Sequence, residues 1–157
     1  MGSREKLALF NMISTYLPES RVLDAFAGSG ALGIEALSRG ALHVTFVENN
    51  RFACKNIADN LKGLNPAPLS TEVIANDVAA YAKGNIALPF DIIFADPPYP
   101  IYSDELIKPL FGLLATGGIL VLSHPHENTT EAPTFKGTEL LKSHTYAAAT
   151  ISIYKKQ

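Results

Sequence analysis

Apolar and polar positions follow two rhythms along this chain. Through residues 4–16 the apolar side chains fall at Leu7, Phe10, Ile13 and, just beyond, Leu17, which is the spacing of one helix face. Pro18 and Glu19-Ser20 then end the pattern. Val22–Gly28 (VLDAFAG) is a nearly unbroken apolar run closing on glycine, as expected of a parallel strand buried on both faces. Residues 30–39 return to helical spacing and stop at Gly40, a natural C-cap. The alternation continues with strand 43–48, helix 50–62, strand 70–77 and a short helix ending near Lys83. Strand 90–96, a loop, helix 103–115 and strand 117–124 follow. This order predicts βαβ units and a doubly wound, mostly parallel α/β sheet with helices on both faces. Residues 139–147 and 149–156 are two strand-like runs with no room for a helix between them, so they are expected to pair antiparallel at one sheet edge.

Composition narrows the class. The chain has 157 residues, of which 47% are hydrophobic and 18% charged, and it can bury a real core. No internal repeat, low-complexity tract or linker divides it, so residues 1–157 are expected to form a single domain. No apolar run reaches the roughly 18 residues that span a bilayer, and the first residues lack the pattern of a signal peptide. Cys54 is the single cysteine, which excludes an internal disulfide and agrees with a reducing cytoplasm. His124 and His126 stand close together without a third ligand nearby, so no metal site is expected. Length and a self-contained core point to a monomer. The net charge of −2 runs against a nucleic-acid partner, because phosphate contacts normally demand a basic footprint.

Two segments carry candidate chemistry. Gly28-Ser29-Gly30-Ala31-Leu32-Gly33 fits G-x-G-x-x-G between a strand and a helix, where helix N–H groups face a ligand. Glu48 ends the next strand and is placed to accept hydrogen bonds from ribose hydroxyls. A dinucleotide site is one reading and a plain turn another. Asp24 changes the balance, since a carboxylate inside an apolar strand is costly unless it is paired or functional. The segment Asp24 to Gly30 (DAFAGSG) resembles motif I of S-adenosylmethionine methyltransferases, whose acid supports the glycine loop and the methionine moiety. The antiparallel ending leans the same way: class I methyltransferases finish with such a hairpin, whereas nicotinamide-binding domains finish with a parallel strand. On this reading Phe26, Ala27, Gly28, Ser29, Gly30, Glu48 and Asn49 surround the cofactor. Asp77 would face its adenine amino group and Val78 would pack on the ring. Asp77 is equally well placed as a helix N-cap.

The second segment is Asp96-Pro97-Pro98-Tyr99, at the C-terminal end of the fourth strand, where open α/β sheets bind ligands. Two prolines stiffen the backbone and remove two donors, leaving carbonyls and the Asp96 carboxylate as acceptors. An exocyclic amino group on a base is a poor nucleophile because its lone pair is delocalised. Acceptors on its N–H bonds, here Asp96 and the Pro97 carbonyl, would orient it for attack on a methyl group. Asp96 could also take up the released proton, and Tyr99 offers a face on which a flipped base stacks. The bland reading is a turn.

With these residues in view, the chain resembles the bacterial 16S ribosomal RNA guanine-N2 methyltransferases of the RsmD type over nearly its whole length. The resemblance rests on REKLALFNMI (4–13), DAFAGSGALGIEALSRGA (24–41), FVE (46–48), NDV (76–78), DPPY (96–99), and Tyr146 followed by ATISIYKK. It implies S-adenosylmethionine as cofactor, held by Asp24, Gly28, Gly30, Glu48 and Asp77. It implies 16S RNA or the small ribosomal subunit as partner, with Asp96 to Tyr99 holding the guanine. Family members usually begin with a longer basic arm, and Met1-Gly2-Ser3 reads either as a start placed on a truncated domain or as a scar left by recombinant expression. The family also tends to carry an acid before the histidine of the fifth strand, where this chain has Ser123, so no role is attached to that place.

Three alternatives remain. An adenine-amino DNA or a glutamine-modifying methyltransferase is one, though these more often carry Asn-Pro-Pro-Tyr; the DNA adenine enzymes share the Asp but generally append a recognition domain. A nicotinamide oxidoreductase would need a Tyr-x-x-x-Lys pair, which is not convincingly placed here. A non-enzymatic RNA-docking module would have no use for an amine-holding tetrapeptide.

Overall fold

The structure, a computed structural model, describes residues 1–67, 70–126, 131–147 and 149–157. Helix α1 (Ser3–Met12) and a 3-10 turn (Ser14–Tyr16) lead into β1 (Arg21–Asp24) and α2 (Ala31–Ser38). Next come β2 (His43–Glu48), α3 (Arg51–Leu64), β3 (Thr71–Ala75), α4 (Val78–Ala82) and β4 (Phe90–Ala95). A 3-10 turn (Tyr99–Ile101), α5 (Asp104–Ile107), a second 3-10 stretch (Lys108–Leu113) and strands β5 (Leu114–His124), β6 (Thr138–Thr145) and β7 (Thr150–Lys156) complete the order. The seven strands lie in the order β3-β2-β1-β4-β5-β7-β6. The first five are parallel, and β7 pairs antiparallel with both β5 and β6.

Neighbouring residues on the central strands serve opposite cores, as strand alternation requires. Val22, Ile92 and Val121 join Phe10, Phe46 and Ile57 on one face. Leu23, Ile93 and Leu120 join Phe111, Phe135 and Tyr154 on the other. Phe111, Phe135 and Tyr154 pack edge-on or tilted, with centroids 4.9 to 5.9 Å apart. The Tyr154 hydroxyl donates to the Pro133 carbonyl at 2.6 Å, so this buried polar tip is satisfied.

Three expected boundaries are corrected. The first strand ends at Asp24 rather than Gly28. Ala25 and Ala27 still donate to Phe94 and Val47 carbonyls, but the chain turns upward through Gly28 and Gly30 at φ 56° and 82°. Ala25 and Ala27 are buried because the loop folds over the sheet end, not because the strand continues. The helix expected over 103–115 stops at Ile107 and gives way to the 3-10 stretch. Pro109 is the cause: it has no N–H for the i−4 bond, so the α-helical ladder cannot continue past it. The fifth strand consequently starts at Leu114, not Gly117. The terminal hairpin forms as expected, with β7 buried inside the sheet and β6 as the edge strand.

Candidate active site

β1 lies between β2 and β4, so the chain winds outward through β2 and β3 and then crosses back to β4. That reversal opens a crevice above the C-terminal ends of β1 and β4, at Asp24 and Asp96. A cleft of about 720 Å³ occupies it.

The glycine loop forms one wall. Gly28 donates its N–H to Glu48 Oε1 at 3.0 Å, and Asn50 donates to Glu48 Oε2 at 2.7 Å. Glu48 thus joins the loop to the start of α3, and each carboxylate oxygen keeps a lone pair for a further donor. Gly33 packs α2 against β2: a Cβ there would collide with the Phe46 ring. Below the wall, Asp24 is 2% exposed and its Oδ2 accepts the Gly33 N–H at 3.0 Å. Burial pushes the Asp24 carboxyl up to about 7; the Gly33 hydrogen bond opposes this, while the charges of Asp96 and Glu48 add to it.

At the adjacent strand end, Asp77 caps α4, accepting the Ala80 N–H at 2.8 Å, and Asn76 Oδ1 accepts the Asp77 N–H at 2.9 Å. The capping role of Asp77 is therefore realised, and among the described residues its second oxygen accepts no hydrogen bond. Val78 beside it is buried.

The opposite wall begins at Asp96, the first residue past β4. Pro97 is buried and Pro98 exposed. The Pro98 carbonyl accepts from Ile101 N–H at 3.0 Å and closes the turn. Tyr99 is 37% exposed, and its hydroxyl lies 3.2 Å from Ser123 Oγ. The α-amino group of Met1 stands 3.8 Å from Asp96 Oδ2.

Of the residues singled out from the sequence, Phe26, Ala27, Gly28, Ser29, Glu48, Asn49, Asp77, Val78 and Asp96 to Tyr99 all line this cleft. Asp24 and Gly30 do not; they support the loop from beneath, Gly30 tightly enough that a Cβ would come within 3.1 Å of Ile57. Lys6, Asn76, Ile101 and Leu106 line the cleft and were not anticipated. Lys6 had a signal in the helical spacing. Phe10, one turn later on α1, packs on Phe94 at 5.5 Å between centroids. Lys6 on the same helix face is thereby carried toward Asp96, two residues beyond Phe94. Among the described residues no group of three or more His, Cys, Asp or Glu could hold a metal ion. No helix among them is long and apolar enough to cross a membrane.

Comparison with known proteins agrees with this geometry. A solved Escherichia coli structure, provisionally titled as methyltransferase yhhF, superposes with a TM-score of 0.89 at 28% identity, covering 99% of this chain and 85% of that one. YlbH of Bacillus subtilis, whose name carries a provisional rRNA methyltransferase assignment, is 37% identical over 97% of this chain and 84% of its own length. Ribosomal RNA small subunit methyltransferase D of Haemophilus influenzae is 41% identical over 62% of this chain, a match spanning 51% of that relative. The fold is that of the class I S-adenosylmethionine methyltransferases, as the alternation and the terminal hairpin predicted. The chain belongs to the family described as conserved hypothetical protein 95, whose model matches residues 1–155. The resemblance to the RsmD-type enzymes is borne out.

Proposed function

We propose that this chain is an S-adenosylmethionine-dependent methyltransferase acting on the N2 amino group of a guanine in small-subunit (16S) ribosomal RNA. One observation carries the reading: a glycine loop and an Asp-Pro-Pro-Tyr turn face each other across a single cleft at the switch point of the sheet. The names of the relatives, which refer to rRNA and to the small subunit, support the substrate class.

The residues present fit the cofactor. Glu48 and Asp77 have free acceptor capacity for ribose hydroxyls and an adenine amino group, and Val78 offers an apolar surface. At Gly28, whose φ is positive, a Cβ would meet nothing within 4 Å, so the loop leaves open space there. When bound, the cofactor supplies an electrophilic methyl group on a sulfonium.

The chain's own residues perform the rest. Asp96 and the Pro97 carbonyl accept the two N–H bonds of the target amine and hold its nitrogen toward the cofactor side of the cleft. Tyr99 stacks on the flipped base. As the nitrogen gains the methyl group it loses a proton, which the Asp96 carboxylate takes up. Lys6 offsets part of the negative charge of Glu48, Asp77 and Asp96 around the cleft.

The test is calorimetric titration with S-adenosylmethionine and, in parallel, NADH. Methyl transfer to transcribed small-subunit RNA, free and assembled into particles, follows, with nucleoside analysis of the product. Binding of S-adenosylmethionine alone and formation of N2-methylguanosine are expected. Binding of NADH alone would overturn the cofactor, and N6-methyladenosine as the product would overturn the guanine.

A further inference from the structure

The turn that follows Asp96 is fastened to β5 at two successive residues. Ser123 is 3% exposed, and its hydroxyl lies 3.2 Å from the Tyr99 phenolic oxygen. Three residues after Tyr99, the Tyr102 ring stacks on His124, with centroids 6.2 Å apart and planes at 26°. Val121 and Leu122 serve opposite cores, so Ser123 and His124 lie on opposite faces of the sheet. The turn therefore straddles the end of β5, with one tyrosine tied down on each side.

The end of β5 is itself held. His124 Nε2 lies 2.9 Å from Ser152 Oγ and its Nδ1 3.2 Å from the Pro125 carbonyl oxygen. Ser152 Oγ lies 3.0 Å from Ser143 Oγ on β6. Side chains of three adjacent strands thus make one polar network behind the turn. None of these groups lines the cleft, and neither does Tyr102; the cleft tyrosine, Tyr99, is held from the other face of the sheet by Ser123.

We propose that Ser123 is a positioning residue for the substrate base, acting through Tyr99. The proposal rests on the reading of Tyr99 as the stacking residue. A tyrosine 37% exposed and held only at its Cα would sample several staggered rotamers. Ordering that ring would then oppose substrate binding. The Ser123 hydroxyl anchors the far end of the ring and fixes its plane before the RNA arrives.

The test is steady-state methylation of particles assembled on transcribed small-subunit RNA, with S-adenosylmethionine saturating. Ser123→Ala is expected to raise the KM for the particles about fivefold, the factor one lost hydrogen bond supplies, while kcat, cofactor affinity and Tm hold. Ser123→Thr, which keeps a hydroxyl, restores the KM. Tyr99→Phe keeps the ring and loses the same bond, so it should raise the KM by the same factor, and the double variant should be no worse than either single one. Losses that multiply in the double variant would overturn the tether, as would a normal KM in Ser123→Ala beside an impaired Tyr99→Ala. Should Ser123→Ala fail to fold, Tyr99→Phe breaks the bond from its exposed end, and a normal KM there is equally fatal. A normal KM in Tyr99→Ala would sink the stacking reading itself, which distinguishes that failure from failure of the tether alone.

Discussion

Along the glycine loop nearly every fixing contact is made by the backbone. Gly28 and Gly33 give their N–H groups to Glu48 and Asp24, and positive φ at Gly28 and Gly30 shapes the turn. Across the cleft, Pro97 and Pro98 have no N–H to give, and the wall is held by side chains, Tyr99 on Ser123 and Tyr102 on His124. The first wall presents a surface suited to a cofactor of constant shape. The second, on the proposed function, turns the Pro97 carbonyl and the Asp96 carboxylate to the substrate amine, and it holds its aromatic ring by a bond that one substitution can remove. Cofactor binding should therefore respond to changes that touch the backbone or its carboxylate acceptors, and substrate handling to changes in side chains.

The sharpest division is expected from Asp96→Ala. Methyl transfer should fall by roughly a thousandfold or more, the scale of a lost proton acceptor, while calorimetry finds S-adenosylmethionine affinity within a few-fold of the parent. Equal loss of cofactor binding would mean that Asp96 belongs to the other wall. Gly33→Ala attacks the backbone wall: its Cβ meets the Phe46 ring and Val44, at a cost of about 3 kcal/mol in urea unfolding.

Asp24→Asn probes the same wall through pH. The Asp24 carboxyl is raised from 3.8 to about 7 in the folded chain. Between those values the native state holds a proton that the unfolded chain has released, so this group makes stability fall as pH rises from about 4 to 7 and level off above. The asparagine variant should lose that slope and be more stable than the parent at pH 8 by on the order of 4 kcal/mol. An unchanged slope in denaturant melts would show that Asp24 ionises freely. Glu48→Ala should weaken S-adenosylmethionine about tenfold, the worth of hydrogen bonds to a charged acceptor, and leave the KM for RNA unaltered.

Much of this was legible along the chain. The order of strands and helices, the antiparallel ending and both cleft walls could be read because each depends on local signals: apolar period, a positive-φ glycine turn, a proline pair at a strand end. The misreadings were local too. Pro109 broke a helix that the apolar spacing alone would continue, and the apolar run past Asp24 was loop packed over the sheet. Lys6 and Asn76 escaped notice because lining a cleft depends on where a helix docks and how a strand end is oriented, not on residue type.

The sequence by itself determined the secondary elements, the parallel sheet and the two motifs, since backbone geometry and short-range period decide those. Only the tertiary structure decided that Asp24 lies beneath the cleft rather than in it, that β7 enters the sheet while β6 takes the edge, and that Ser123 meets a tyrosine 24 residues away. Such pairings arise when distant segments pack side by side, and no local period along the chain encodes which side chains will then meet.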